Sequence, residues 1–164
     1  EVVWKSSKHR AGYGTPVEFE NAGRRLVTVF NNDGLLVLAA DDGREVALHP
    51  LESQFATTST TPIVAQDTLF VSVGYGGGCA LLKLADDRLE QVYANKEMGN
   101  HFNNCVLFEG HLYGYDGNSH ASNQVRLVCM EHATGKVKWH QRGFGCGSLM
   151  IADGKLYKLP LGEQ

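Results

Sequence analysis

Pro62-Ile-Val-Ala-Gln-Asp-Thr-Leu-Phe-Val71 is echoed by Cys105-Val-Leu-Phe-Glu-Gly-His-Leu-Tyr-Gly114 and by Leu149-Met-Ile-Ala-Asp-Gly-Lys-Leu-Tyr-Lys158. Each stretch is a short apolar run, a turn of acidic or glycine type, and a second run opening on Leu and an aromatic. Leu69, Leu112 and Leu156 are equivalent, and Leu26 fits one period earlier with a slightly longer hairpin. The spacings are 43, 43 and 44 residues. A fixed period of this size is the mark of stacked supersecondary units.

The second half of each unit repeats as well. Third runs read Leu35-Leu-Val-Leu-Ala39, Ala80-Leu-Leu-Lys-Leu84 and Arg126-Leu-Val-Cys-Met130. Fourth runs read Glu45-Val-Ala-Leu48, Glu90-Gln-Val-Tyr93 and Lys136-Val-Lys-Trp139. A slot in the fourth run holds Trp4, Ala47, Tyr93 and Trp139 in turn. Turn dipeptides such as Asp33-Gly34, Asp116-Gly117 and Asp153-Gly154 separate β-rich runs, and helical periodicity is absent. Four strands per about 40–45 residues is the blade of a β-propeller, in which sheets stack radially and bury their faces on one another. A helical solenoid is excluded by the β composition, and a sandwich would not repeat its sequence.

The expected fold is therefore all-β, with three full blades over residues 13–49, 59–95 and 102–142. Residues 146–159 read as strands one and two of a further blade, and residues 1–6 as its strand four. One strand is missing from that split blade unless the tail 159–164 supplies it. An arc of three blades would leave apolar faces and open edges bare. The chain is thus expected to be a piece of a larger ring, or to pair with a second copy, two copies supplying about eight blades. A small irregular four-bladed ring is the remaining possibility.

Composition narrows the function. Of 164 residues 43% are hydrophobic and 20% charged, with a net charge of −3, so no basic surface is available for non-specific nucleic-acid binding. No run approaches the roughly 20 apolar residues of a membrane helix. The opening Glu1-Val-Val-Trp-Lys does not read as an export signal, and a mature protein or an excised piece would both begin this way. Cysteines 79, 105, 129 and 146 form no C-x-x-C, which argues against a zinc knuckle and leaves buried thiols or a disulfide.

Val128-Cys-Met-Glu-His-Ala-Thr-Gly-Lys-Val-Lys-Trp139 resembles the tryptophan-docking motif of quinoprotein dehydrogenases, Ala-x-Asp-x-x-x-Thr-Gly-x-x-x-Trp, with Thr134, Gly135, Lys136 and Trp139 in matching slots. Ala39-Ala-Asp-Asp-Gly43 keeps only its skeleton. Over nearly its whole length the chain is similar to the pyrroloquinoline-quinone-like propeller family. Outer-membrane assembly lipoproteins belong to that group. Gly74-Tyr-Gly-Gly-Gly78 and the stretch from Gly99 to Phe102 look most like uncharacterised environmental members. The resemblance implies a periplasmic or secreted setting. The motif has a structural account: the Thr-Gly turn tightens a hairpin while the Trp packs on the next blade.

A quinone enzyme needs calcium on oxygen ligands, a carboxylate base and a flat aromatic. Family enzymes often add a disulfide between adjacent cysteines. This chain has no Cys-Cys pair, and its acids fall mostly in turns such as Asp41-Asp42 and Asp86-Asp87. The seven histidines form no H-x-x-x-H or H-E-x-x-H pattern. No catalytic set, no metal site and no cofactor is therefore expected. Gly76-Gly77-Gly78 joins two strands and reads as a hairpin turn rather than a phosphate loop.

Asn100-His101-Phe102-Asn103-Asn104 stands apart because it leads into a first, innermost strand. Such loops gather at one mouth of a propeller channel. Tyr13, Thr61, Asn100, His101 and Phe144 lie in loops of this kind, and Tyr75, from a second-to-third-strand turn, should reach the same face. The expected role is a non-catalytic recognition or scaffold domain that presents Tyr13, Tyr75, Asn100, His101 and Phe144 to a protein or carbohydrate partner. The plainer account is that these groups satisfy loop backbone in a wet funnel. The alternative function is a piece of a pyrroloquinoline-quinone-dependent oxidoreductase.

Overall fold

The computed structural model describes residues 1–160. Blade one comprises β1 (Val17–Asn21), β2 (Arg24–Asn31), β3 (Gly34–Ala39) and β4 (Glu45–His49). Blade two comprises β5 (Ile63–Ala65), β6 (Thr68–Val73), β7 (Gly78–Ala85) and β8 (Arg88–Asn95). Blade three comprises β9 (Val106–Phe108), β10 (His111–Asp116), β11 (Arg126–Glu131) and β12 (Val137–Arg142). In each, the strands pair antiparallel in chain order. A hairpin of β13 (Gly147–Ala152) and β14 (Lys155–Pro160) follows as a two-stranded sheet. The fold is the all-β stack that the repeat requires.

The blades share their irregularities. Every third-to-fourth pairing slips register once, between Val37 and Leu38, Leu81 and Leu82, and Cys129 and Met130. Immediately before each slip, Ala47, Tyr93 and Trp139 face Val37, Leu81 and Cys129. The slot seen in the sequence is thus the residue beside a β-bulge, which twists the outermost strand and re-aims its side chain.

Burial explains the composition of the strands. Leu26, Phe30 and Val37 of blade one meet Leu69, Val71, Leu82 and Leu84 of blade two in one cluster. The alternate residues of blade two, Phe70, Cys79 and Leu81, meet Leu112, Val128 and Met130 of blade three. A sheet covered on both faces has no polar side to show, so β6 is buried almost throughout, unlike the half-polar β8 and β12. Tyr115, Leu127 and Cys146 join blade three to the hairpin. All four cysteines are free and buried, so the thiol alternative holds.

Residues 1–6, expected beside 146–159, form no ladder. A fourth strand pairs only with a third, and among the described residues the β13–β14 sheet has none. Instead the Trp4 indole donates to the Ala40 carbonyl at 2.8 Å and packs on Gly43, while His9 sits 3.1 Å from both Asp33 and Glu45. The first ten residues therefore run along blade one from its third-to-fourth turn to its second-to-third turn. Tyr93 docks on blade three in the same manner, its hydroxyl donating to the His132 carbonyl at 3.0 Å and its ring against Gly135. The tail 161–164, within the segment considered for the missing strand, lies outside the described residues.

Candidate functional site

Loops entering each blade are tied to the next by a relay of hydrogen bonds. The Tyr13 amide donates to Thr58 O at 2.8 Å, the Ser59 hydroxyl to His101 O at 2.6 Å, and the Asn103 amide to Gly147 O at 3.2 Å. Thr61 N donates to Asn104 Oδ1 at 2.8 Å. These bonds bring side chains some forty residues apart onto one rim. The turn joining β6 and β7 closes by Gly77 N donating to Gly74 O, and the Tyr75 amide donates to Asn118 Oδ1 at 2.9 Å. Gly76-Gly77-Gly78 is accordingly part of a hairpin turn.

The rim carries one cluster of rings. Tyr75 stands edge-on to His101, with centroids 4.6 Å apart, and edge-on to Phe55 at 4.8 Å. Phe102 lies 3.9 Å from His101, and the His120 ring is 6.0 Å from both Tyr75 and His101. Phe55 and Phe102 are 67% and 63% exposed, an unusual degree for phenylalanine, whereas His101 is buried beneath them. Phe55 and Tyr75 also sit at positive φ, +136° and +55°, a backbone cost that concentrates at working surfaces.

His101 has a defined tautomer. Ser119 N–H donates to its Nδ1 at 3.1 Å, and the Ser119 hydroxyl lies at the same distance, so the ring proton resides on Nε2. That Nε2 is buried with no acceptor among the described residues. Burial, and then the neighbouring His120, hold the His101 pKa below its ordinary value, leaving a neutral imidazole. Beside it a cleft of about 250 Å³ is lined by Phe102, Asn103, Ser119, Cys146, Gly147 and Ser148.

Of the residues singled out from sequence, the structure brings Tyr75 and His101 together. Asn100 is fully buried and acts as a brace, its amide donating to Tyr115 O and its backbone N–H to Ser72 Oγ. Phe144 packs on the Tyr115–Cys146 cluster with the Lys158 ammonium 4.7 Å from its ring. Tyr13 is exposed on the entry to blade one, outside the ring cluster. Phe55, Phe102, Ser119 and His120 were not singled out. Only Phe102 left a signal, as the neighbour of His101 in a polar stretch.

Among the described residues, no group of three or more His, Cys, Asp or Glu is placed to hold a metal. Asp116, at the end of β10, accepts from Gly99 N at 2.9 Å and from Arg126 Nε at 2.8 Å. A calcium–quinone site needs carboxylate oxygens free to converge, and this donor set does not fit it.

Solved structures share the architecture. BamB from Moraxella catarrhalis superposes with a TM-score of 0.65 at 15% identity, over 96% of this chain and 46% of its own. The quinohemoprotein alcohol dehydrogenase ADHIIG from Pseudomonas putida HK5 gives 0.67 at 14% identity, over 87% and 22%. The enzyme from Comamonas testosteroni gives 0.57 at 13%, over 84% and 21%. The fold is a pyrroloquinoline-quinone-like β-propeller. This propeller chain spans less than half the length of BamB and about a fifth of either dehydrogenase. No family model and no curated protein matches its sequence. Among the described residues of the propeller no helix is long and apolar enough to cross a membrane.

Proposed function

We propose that this propeller segment is a non-catalytic recognition module whose rim, around Phe55, Tyr75 and Phe102, takes a protein or carbohydrate partner in a periplasmic or secreted setting. The carrying observation is the exposed ring cluster on strained backbone over a buried, neutral His101. Flat rings held by two torsions present large apolar area at low entropic cost, and both sugar rings and peptide side chains stack on them. The architecture shared with BamB supports a scaffold reading.

The test is a titration of the ¹⁵N-labelled chain with soluble oligosaccharides and with peptides rich in aromatic residues. Shifts confined to Tyr75, His101, Phe102 and the loop around Phe55 are expected. Phe102→Ala should weaken the complex by about 1–2 kcal/mol, the loss typical of an aromatic anchor. Shifts confined to a different surface would sink the reading.

A second reading is favoured by the two quinohemoprotein alcohol dehydrogenases with this fold: the segment belongs to an oxidoreductase whose remaining blades carry the chemistry. Its test is dye-linked alcohol oxidation by a protein that carries this segment together with those blades, after addition of pyrroloquinoline quinone and calcium. Robust turnover would replace the recognition reading.

A further inference from the structure

The ring cluster continues into the cleft of about 250 Å³, whose walls come from neighbouring units of the repeat. Phe102 and Asn103 lead into blade three, Ser119 follows β10, and Gly147 and Ser148 begin β13. Asn103 ties the two walls together. Its Oδ1 accepts from His101 N–H at 3.3 Å, and its Nδ2 donates to Gly147 O at 3.2 Å. His101 covers one face of the Phe102 ring, with centroids 3.9 Å apart and planes 34° apart, so the other face is the one left for the cleft. Ser119 is fixed by its N–H on His101 Nδ1, and whichever way its hydroxyl proton turns, the oxygen keeps a lone pair for a ligand hydroxyl. Ser148, exposed on β13, adds a second hydroxyl to the lining.

Charge narrows the ligand. Neither the cleft lining nor the rings of the cluster include an acid, a lysine or an arginine. Charged groups on adjoining segments are engaged elsewhere: the Lys96 ammonium donates to Gly76 O, and Glu97 and Asp116 both meet Arg126. A charged ligand would enter without a counter-charge, and its desolvation would oppose binding. An open aromatic face set against two hydroxyls suits a molecule that is apolar on one side and hydroxylated around its edge, which describes a pyranose. The volume lies below the roughly 300–1,000 Å³ of pockets for drug-sized ligands, so one ring enters rather than an extended chain. Resting on the recognition reading of the rim, we infer that this cleft binds a single neutral hexopyranose unit, stacked on Phe102 and hydrogen-bonded to Ser119 and Ser148. An aromatic peptide side chain would leave both serine hydroxyls unused.

The test is saturation-transfer and ¹⁵N-shift spectroscopy of the whole chain with the methyl glycosides of glucose, galactose, mannose and N-acetylglucosamine. Millimolar binding of at least one is expected, as suits a ligand of few atoms, with shifts at Phe102, Asn103, Ser119, Gly147 and Ser148. Ser119→Ala and Ser148→Ala should each weaken that glycoside about three- to tenfold, the loss of one hydrogen bond, with the amide spectrum otherwise unchanged. Affinity should be equal at about 0.05 M and about 0.5 M salt, because no charge takes part. Aromatic peptides that shift Tyr75 and the loop around Phe55, while no glycoside moves the cleft, would overturn the sugar assignment and leave the recognition reading standing. No shift at the rim from glycosides or peptides would overturn both. Binding that is indifferent to both serine variants, or that falls steeply with salt, would overturn the assignment of a neutral sugar to this cleft.

Discussion

At Gly43 the backbone has φ of +73°, and a Cβ there would lie 2.3 Å from the Trp4 ring; at Gly23 φ is the same, but nothing lies within 4 Å. The pair separates two costs. Gly23→Ala should lose only the left-handed strain, about 1 kcal/mol, whereas Gly43→Ala should also unseat Trp4 and lose about 2–3 kcal/mol, read by thermal unfolding and indole fluorescence. His101 makes a second prediction. Its folded-state pKa is lowered, so the unfolded chain takes up the proton first as pH falls. Stability should be full above the ordinary histidine value of 6.5 and should decline as pH drops through it towards the lowered value. His101→Asn, which keeps an acceptor for Ser119 N–H, should flatten the decline of urea midpoints. His49 and His132, lowered by burial as well, keep some slope. Tyr75 and His101 were legible as rim residues because a turn and a blade-entry loop fall at fixed places in the period. Phe55, Ser119 and His120 were not, because they come from aperiodic loops whose paths depend on packing.

Blade two is the element on which the others lean. Its strands β6 and β7 alternate between two cores, so nearly all of their side chains are buried on one face or the other. Leu69→Ala, at a fully buried position between blades one and two, should cost about 2–5 kcal/mol in denaturant unfolding, while Val92→Ala on the half-exposed face of β8 should stay within about 0.5 kcal/mol. The strand pattern could be read from composition because burial on both faces removes polar residues from a run. The shared bulge was visible only as a slot that holds Ala47, Tyr93 or Trp139, with Trp4 in the corresponding sequence place but in no strand. Its meaning, an outermost strand twisted so that an aromatic reaches the turn of the next blade, needed coordinates. Where the slot is Ala47, the following turn is Asp86-Asp87 without a glycine, and at Trp139 the hairpin offers no third-to-fourth turn.

Across the whole molecule, protection should follow the stacking order. Hydrogen exchange should be slowest in β6 and β7, buried on both faces, and fastest in β13 and β14, which lean on one neighbour alone. The thiols should report the same order: burial raises Cys79 and Cys105 to about 12, so both should stay inert to thiol reagents until global unfolding. Equal exchange rates in the hairpin and blade two would contradict the stack. The number of strands in each unit, their order and their period were set by residue pattern alone, because pairing of adjacent strands is local and a covered face must be apolar. Which rings meet at the rim and where the first ten residues lie were decided by the tertiary structure. Those depend on contacts between loops some forty residues apart, and no local rule of propensity or alternation carries information over that distance.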